Sequence, residues 1–226
     1  TLHPRAKEAG MAVANSTVPS MFIGGFFMGA YLPDCACYDA NSPYLDVRVR
    51  EAVNRAIDRV EFMDSLFGFQ GEPAPILGIH RTHIGWKEEW LDKREEHYGY
   101  DPEKAKALLA EAGYPDGFET TIPVTSWPGA PETLMAAEVL AGYLAEIGIK
   151  ATLYETELGP LVGKLRARSD TNLVAPVRVT KLDPVVIARI IEYSGTGGIL
   201  HFYNDAEFDR IYLELAASLD IDERSD

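Results

Sequence analysis

Two basic side chains near the end of a predicted strand are the first candidates for chemistry in this sequence. Arg178 and Lys181 lie in the stretch "VRVTKLDP". Guanidinium and ammonium groups bind carboxylates and phosphates through charge-assisted hydrogen bonds. The same two charges could equally be ordinary solvent-facing residues at a strand end. In a regular strand Arg178 and Thr180 share one face, while Val177 and Val179 share the other, so these residues cannot all line one pocket.

The point at which this strand ends therefore decides which residues we expect in the site. If the strand continues, Arg178 and Thr180 line the site; if it has already ended, Lys181 does. Val177 either lines the pocket or belongs to the core. Asp183 precedes a proline, so we expect it to cap a helix rather than to contact a ligand.

Aromatic side chains offer a second kind of ligand contact. Trp127, in the loop "SWPGA", is better placed than the other two tryptophans to stack on a bound solute. For Trp86 and Trp90 we prefer a packing role.

Metal and thiol chemistry have weaker signals. His80 and His83 are three residues apart, a spacing that occurs in metal sites. No cysteine or carboxylate lies at a fixed close spacing from them, so we interpret them as solvated loop histidines and predict no metal. Cys35 and Cys37 are separated by one residue, which would strain a disulfide between them. We interpret them as two thiols in a tight turn.

The motifs of the common enzyme classes are missing from the sequence. There is no Gly-x-Ser-x-Gly, His-Glu-x-x-His or phosphate-loop pattern, and "GTGG" lacks the lysine and the following helix of a phosphate cradle. We therefore predict a protein that is not an enzyme and that has no catalytic residues and no cofactor.

Composition and charge narrow the function classes further. The chain has 226 residues and a net charge of −14, from 21 Lys and Arg against 35 Asp and Glu. This balance argues against a nucleic-acid binder, which needs a cationic surface, and against docking on anionic lipid. The apolar run at residues 21–32 is too short to span a bilayer. Its glycines favour a buried irregular strand, so we predict neither a signal peptide nor a transmembrane helix.

Hydrophobic periodicity predicts an α/β chain. Asp46 caps a helix with an apolar face at Val49, Val53, Ala56, Ile57 and Val60, and Asp58 with Glu61 has the spacing of a capping box for the next helix. Strand, helix and strand follow one another between residues 118 and 155, which predicts a parallel βαβ unit. The predicted helices cover 59–67, 101–112, 131–147, 159–168, 183–193 and 205–218; the predicted strands cover 118–125, 149–155 and 172–179; residues 69–100 are predicted as loop, and "TGGILHFY" as a glycine loop with a short strand.

Three of these stretches together resemble one protein family. They are "SPYLDVRVREAVNRAIDR", "YDPEKAKALLAEAGYPDGF" and "AAEVLAGYLAEIGIKATL", and "LDP…FYNDAEFDRIYLELAASLDIDER" continues the similarity. In this order they resemble family 5 extracellular solute-binding proteins, the peptide- and nickel-binding components of ABC importers. The resemblance runs from about Ser42 onward.

The resemblance implies a fold and an extent. Family members are longer and trap a ligand between two lobes. We therefore expect residues 1–226 to be a single lobe, the second, ligand-covering one, of a type II periplasmic-binding-protein-like fold, with a mixed sheet flanked by helices. Most of the first lobe would be absent. The opening Thr1 in place of Met, and a helix cap at Asp222 without a following helix, fit an excised piece.

The resemblance also raises the question of whether this chain binds a peptide. Peptide-binding members carry a pattern like Trp-x-x-Asp-Tyr-x-Asp-Pro, in which the first aspartate pairs with the peptide's amino terminus. Aligned on the Asp–Pro at residues 183–184, Val177 replaces the tryptophan, Thr180 the aspartate and Lys181 the tyrosine. A site without that carboxylate has no evident partner for an ammonium group. A carboxylate, a phosphate or a hydroxyl-rich sugar derivative fits the local charge better.

The implied partners are a small-molecule or peptide-like solute and an ABC permease at the membrane. We expect a monomer that binds no nucleic acid. It would lie in the periplasm or outside the cell, held at the membrane by the transporter or by an anchor not present in this chain. The alternative is a sensing or interaction domain that reuses this lobe without transport.

Overall fold

The computed structural model describes residues 3–12, 22–27, 38–67, 74, 79–83, 85–125, 132–167, 173–179, 184–191, 193–195 and 205–220. The helices are α1 His3–Glu8, α2 Val47–Arg55, α3 Arg59–Phe67, α4 Glu89–Tyr98, α5 Pro102–Glu111, α6 Glu132–Glu146, α7 Leu158–Ala167, α8 Pro184–Ile191 and α9 Ala206–Ala217. The strands are β1 Phe22–Phe27, β2 Glu119–Thr125, β3 Lys150–Thr156 and β4 Leu173–Val179. A 3-10 turn at Pro43–Leu45 precedes α2.

The βαβ unit that the periodicity predicted is present. β2 and β3 are parallel and in continuous register from Glu119 opposite Lys150 to Thr125 opposite Thr156. Helix α6 links them and packs against both strands. Its apolar positions, with those of α2, α5 and the two strands, form one core. The buried members of this core are Tyr44, Val49, Ala52, Val53, Ala56, Ala105, Leu109, Ile122, Val124, Ala137, Leu140, Leu144, Ile147 and Ile149.

The predicted mixed sheet appears as two strand pairs. β1 runs antiparallel to β4, which confirms a strand within the glycine-containing apolar run. Gly24 pairs with Val177 and Phe26 with Val174, so two residues of β4 stand opposite one of β1. This bulge contains Pro176, which has no N–H for the ladder and is tolerated at such a place. β4 also lies close beside β2.

The predicted cap at Asp46 is confirmed, and Asp101 caps α5 in the same way. The Asp46 carboxylate accepts from the Arg48 N–H at 2.8 Å, and the Asp101 carboxylate accepts from the Lys104 N–H at 2.9 Å. After α5 the chain turns at Gly113, whose φ is +94°. The Tyr114 N–H donates to the Leu109 carbonyl at 2.8 Å, which satisfies a carbonyl that the helix end would leave free.

Two glycine turns meet at the start of the parallel pair. Gly117 and Gly148 both have positive φ, +74° and +90°. A Cβ placed on Gly117 would lie 1.9 Å from the Gly148 carbonyl oxygen. Only glycine permits this approach, so the turn before β2 and the turn before β3 are held together at the backbone.

Of the capping box predicted for α3, the bonds to the Asp58 side chain are present, and Glu61 has a different partner. The Asp58 carboxylate accepts from the N–H groups of Val60 and Glu61, each at 3.0 Å. The Glu61 carboxylate accepts instead from the Tyr143 hydroxyl of α6 at 3.0 Å, which ties α3 to the βαβ unit. Burial first, and then the bond to Glu61, raises the pKa of Tyr143.

Two sequence predictions in this region are wrong. Val60 does not belong to the apolar face of α2; it lies in α3 and is 60% exposed. The stretch predicted as loop contains α4, Glu89–Tyr98. None of the α4 residues is buried, so the helix carries no apolar stripe that periodicity could detect.

Hydrogen bonds from an arginine of α2 hold α4 in place. Arg55, only 6% exposed, donates to the Glu96 carbonyl at 2.9 Å and to the Gly99 carbonyl at 3.4 Å. The Asp101 N–H in turn donates to the Arg55 carbonyl at 2.9 Å. The guanidinium thus meets the negative end of the α4 dipole, where a cation is stabilising.

Replacing this guanidinium by an apolar chain of similar length tests its role. We expect Arg55→Met to lower the free energy of unfolding by about 2–4 kcal/mol, because buried carbonyls and the Glu51 carboxylate lose their donor. Urea denaturation measures the loss. Arg210→Met is the matched control, since the Arg210 side chain is 53% exposed and pairs with Glu207 and Glu214 of its own helix. Equal losses in the two variants would contradict the special role of Arg55.

The ion pair beside Arg55 predicts an acid-dependent stability. The hydrogen bond from Arg55, at 2.7 Å, lowers the pKa of Glu51 below its ordinary value of 4.5. A carboxyl group with a lowered pKa in the folded state stabilises it above pH 4.5, and this contribution is lost as the pH falls through the folded-state value.

Glu51→Gln should therefore be less stable than the parent at pH 6. The difference in urea midpoint between the two should narrow as the pH falls below 4.5. A difference that is the same at pH 6 and at pH 3 would show that Glu51 contributes no charge-dependent stability.

Candidate functional site

The parallel strands β2 and β3 end at the same edge of the structure. β2 ends at Thr125 and β3 at Thr156, and these two residues are in register. Trp127 comes two residues after Thr125, in a segment that lies outside the described residues. In α/β sheets of parallel strands, ligands bind in the crevice beyond the carboxyl ends. The carboxyl edge of β2 and β3 is therefore a candidate place for a ligand.

The second group of predicted residues lies at the end of β4. Val177 and Arg178 belong to this strand and are in register with Gly24 and Ile23 of β1. Thr180 and Lys181 lie outside the described residues, as does Asp183 directly before α8. The structure thus places Val177 and Arg178 by their backbone alone.

The β1–β4 register bears directly on the expected alternation in β4. Three successive pairs, at residues 177, 178 and 179, show no irregularity, and the bulge precedes them. By register, Arg178 therefore shares a face with neither Val177 nor Val179. Both alternatives at this strand end stay open, because Thr180 and Lys181 lie outside the described residues.

Both polar and apolar side chains lie where β2 ends and where α6 and α7 begin. Thr125 at the end of β2 and Thr133 in the first turn of α6 are both only 8% exposed. Leu134, Met135 and Leu158, in the first turns of α6 and α7, are 37%, 52% and 40% exposed. Such a surface can hold a solute through hydroxyl hydrogen bonds and apolar contacts.

Sequence reasoning did not select the two threonines. Their positions could have indicated them, because one is the last residue of a predicted strand and the other follows the opening of the next helix. The loop between them contains Trp127. A polar residue in either position is often a cap or a turn, so residue type alone was not sufficient.

The histidine pair forms a local turn. The His83 Nδ1 accepts from the His80 N–H at 3.0 Å, and the His80 Nδ1 accepts from the Thr82 N–H at 3.2 Å. One ring nitrogen of each histidine is therefore used within the turn. Across the described ranges, no cluster of three or more His, Cys, Asp and Glu side chains is arranged to hold a metal.

The expected packing of the other two tryptophans is confirmed. The rings of Trp86 and Trp90 meet edge to face, with centroids 5.7 Å apart. This is a favourable geometry for aromatic pairs. The contact attaches the turn before α4 to the helix itself.

The chain matches a known family of proteins over most of its length. The family model described as "Bacterial extracellular solute-binding proteins, family 5 Middle" matches residues 6–174. The match begins well before the motif at Ser42 and ends before the last quoted stretch. No helix in the described part of the chain is long and apolar enough to cross a membrane.

Two relatives and one solved structure illustrate the similarity. Heme-binding protein A of Haemophilus influenzae is 37% identical over 111 residues, which cover 48% of this chain and 19% of that protein. Di/tripeptide-binding protein 3 of Pseudomonas aeruginosa is 31% identical over 172 residues, covering 74% and 30%. The structure of the PBP AgaA in complex with agropinic acid, from A. tumefaciens R10, has a TM-score of 0.69 at 24% identity and covers 92% and 40%.

These comparisons confirm the predicted fold class. The solved structure shows that the chain has the α/β fold of part of a periplasmic binding protein. The chain spans less than a third of the length of the two curated relatives. Because the family match covers residues 6–174, the chain belongs to the family 5 bacterial extracellular solute-binding proteins.

Proposed function

We propose that this chain is one lobe of the substrate-binding component of an ABC importer. Residues 1–226 form the second, ligand-covering lobe. A small solute enters between this lobe and another, and closure buries it with contacts from both sides. The closed form then delivers the solute to a membrane permease, outside the cell or in the periplasm. No bond is made or broken, and the binding protein acts as a monomer.

The family match over residues 6–174 is the observation that carries this proposal. The geometry agrees with it, because the described carboxyl edge exposes the apolar side chains of Leu134, Met135 and Leu158. These are groups that hold a solute.

The ligand class is proposed from the residues at the end of β4. The relatives' names refer to heme and to di- and tripeptides, and the solved neighbour holds agropinic acid, so family membership alone leaves the ligand open. Thr180 stands where peptide binders carry a carboxylate. Burial of an ammonium group without a counter-charge would cost several kcal/mol.

We therefore favour a solute that carries a carboxylate, a phosphate or a sugar-derived polyol. Arg178 and Thr180 would contact it, with Lys181 if the strand has ended by that residue. Val177 would line the pocket or belong to the core, and Trp127 would stack on the solute.

A sensing or interaction domain remains the second candidate. It would use the same lobe and the same edge without a transporter. Genes for a membrane permease and an ATPase beside the gene for this protein would support import, and their absence would favour the sensor.

A thermal-shift screen of the longer protein that contains this chain tests the ligand class. Dipeptides and tripeptides, sugar acids and opine-like conjugates are each added in excess. A ligand at 100 times its dissociation constant stabilises the folded state by about 2.7 kcal/mol, so a true solute raises the melting temperature clearly. We expect the sugar acids or conjugates to do so and Arg178→Ala to reduce the shift.

Lys150→Ala is the matched control, because it removes one exposed positive charge at the opposite end of β3. It should leave the shift unchanged. Strong stabilisation by ordinary dipeptides or tripeptides that Arg178→Ala does not diminish would defeat the proposed ligand class.

Calorimetry tests the two-lobe arrangement. If the contacts come from both lobes, the 226-residue chain alone should bind the solute found in the screen far more weakly than the longer protein does. Equal affinities would refute the shared cleft and leave the family assignment intact.

A further inference from the structure

An imidazole side chain closes the turn that precedes α4. The His80 N–H donates to the Nδ1 of His83 at 3.0 Å, and the His83 N–H donates to the His80 carbonyl at 2.9 Å. The Trp86 N–H in turn donates to the His83 carbonyl at 3.3 Å. His83 thus joins the start of the turn to the tryptophan whose ring packs on Trp90 of α4, with ring centroids 5.7 Å apart.

The bond between His80 and His83 exists only while the His83 ring is neutral. Nδ1 accepts through its lone pair, and protonation removes that lone pair because both nitrogens of an imidazolium are donors. Two N–H groups would then face each other where the hydrogen bond had been. The Nε2 of His83 is buried, so the charged ring would also lose solvation by water. The same bond requires that the proton of the neutral ring lie on Nε2.

The second imidazole of the turn is less sensitive to protonation. The Nδ1 of His80 accepts from the Thr82 N–H at 3.2 Å and lies 3.0 Å from the Thr82 hydroxyl oxygen. When His80 is protonated, this hydroxyl can rotate and accept from the new N–H, so one contact is kept. The charge on His83 therefore decides whether the turn is closed.

The other charged groups described around this turn keep their charge where histidine titrates. In the segment before α4 they are Arg81, Lys87 and Glu88, and within one helical turn of Trp90 they are Glu89, Lys93 and Arg94. Carboxylate, ammonium and guanidinium groups ordinarily change charge outside the range from about pH 5 to 8, whereas imidazoles change charge within it. His97, in the last turn of α4, is an imidazole on the same helix and provides a control.

We propose that protonation of His83 opens the turn before α4 and releases Trp86 from its place beside Trp90. The neutral ring closes the turn above the range in which histidine titrates, and the closure is lost as the pH falls through that range. None of the core residues named above belongs to this turn. The opening is therefore local, and the βαβ unit with α2 and α5 stays folded while it occurs.

Nitrogen NMR of the imidazole rings and solvent exchange of the backbone amides test this proposal in the whole chain. At high pH we expect the proton of the His83 ring on Nε2 and a protected His80 amide. Protection is corrected for the intrinsic effect of pH on exchange. Between pH 8 and pH 5 it should then fall about five- to tenfold at the His80 amide, as expected for the loss of one hydrogen bond, and it should recover on return to pH 8.

Three variants separate this effect from a general response to acid. In His83→Asn the side-chain oxygen takes the position of Nδ1 and cannot be protonated, so the His80 amide should stay protected at both pH values. In His83→Ala it should be unprotected at both. His97→Gln should behave as the parent does. A proton on Nδ1 of His83 at high pH, or a loss of protection as large in His83→Asn as in the parent, would overturn the proposal.

Discussion

The carbonyl groups at the ends of helices are the constraint on which this lobe depends. The last turn of every helix leaves carbonyls without an internal partner. Here, arginines of one short segment supply the donors for several elements. Arg48 donates to the Glu111 carbonyl at the end of α5, Arg55 to carbonyls at the end of α4, and Arg50 to those of Tyr44 and Leu45 in the preceding turn. Helix α2 is thereby the element against which α4 and α5 are positioned.

A second constraint then fixes the strands relative to these helices. Gly117 and Gly148 touch through their backbones, and the Lys150 N–H donates to the Phe118 carbonyl at 2.9 Å. The two strands therefore start level and, over seven residues each, also end level. The two strands therefore share a carboxyl edge, where Thr125 lies beside Thr156. The geometry of the candidate site is set at the opposite end of the sheet.

The sequence was informative where one local signal decides the structure. Asp46 caps α2 as predicted, and Asp101 and Asp205 cap α5 and α9 in the same way, because a side-chain oxygen at that position meets free N–H groups whatever surrounds it. Helix α4 escaped prediction because its stability comes from contacts made by Arg55, more than thirty residues earlier. No window around residues 89–98 contains that information. The order of strands and helices predicted the carboxyl edge of β2 and β3 as a candidate site. It did not predict which side chains are buried there, because their burial depends on how α6 packs.

The arginine-rich segment also explains why the family could be recognised while its ligand could not. Residues that satisfy backbone carbonyls must keep both charge and length, since Arg55 reaches two elements at once. They specify the scaffold and leave the ligand open. The motif that holds these arginines therefore identifies the family through the docking of its helices, and it carries no information about the ligand.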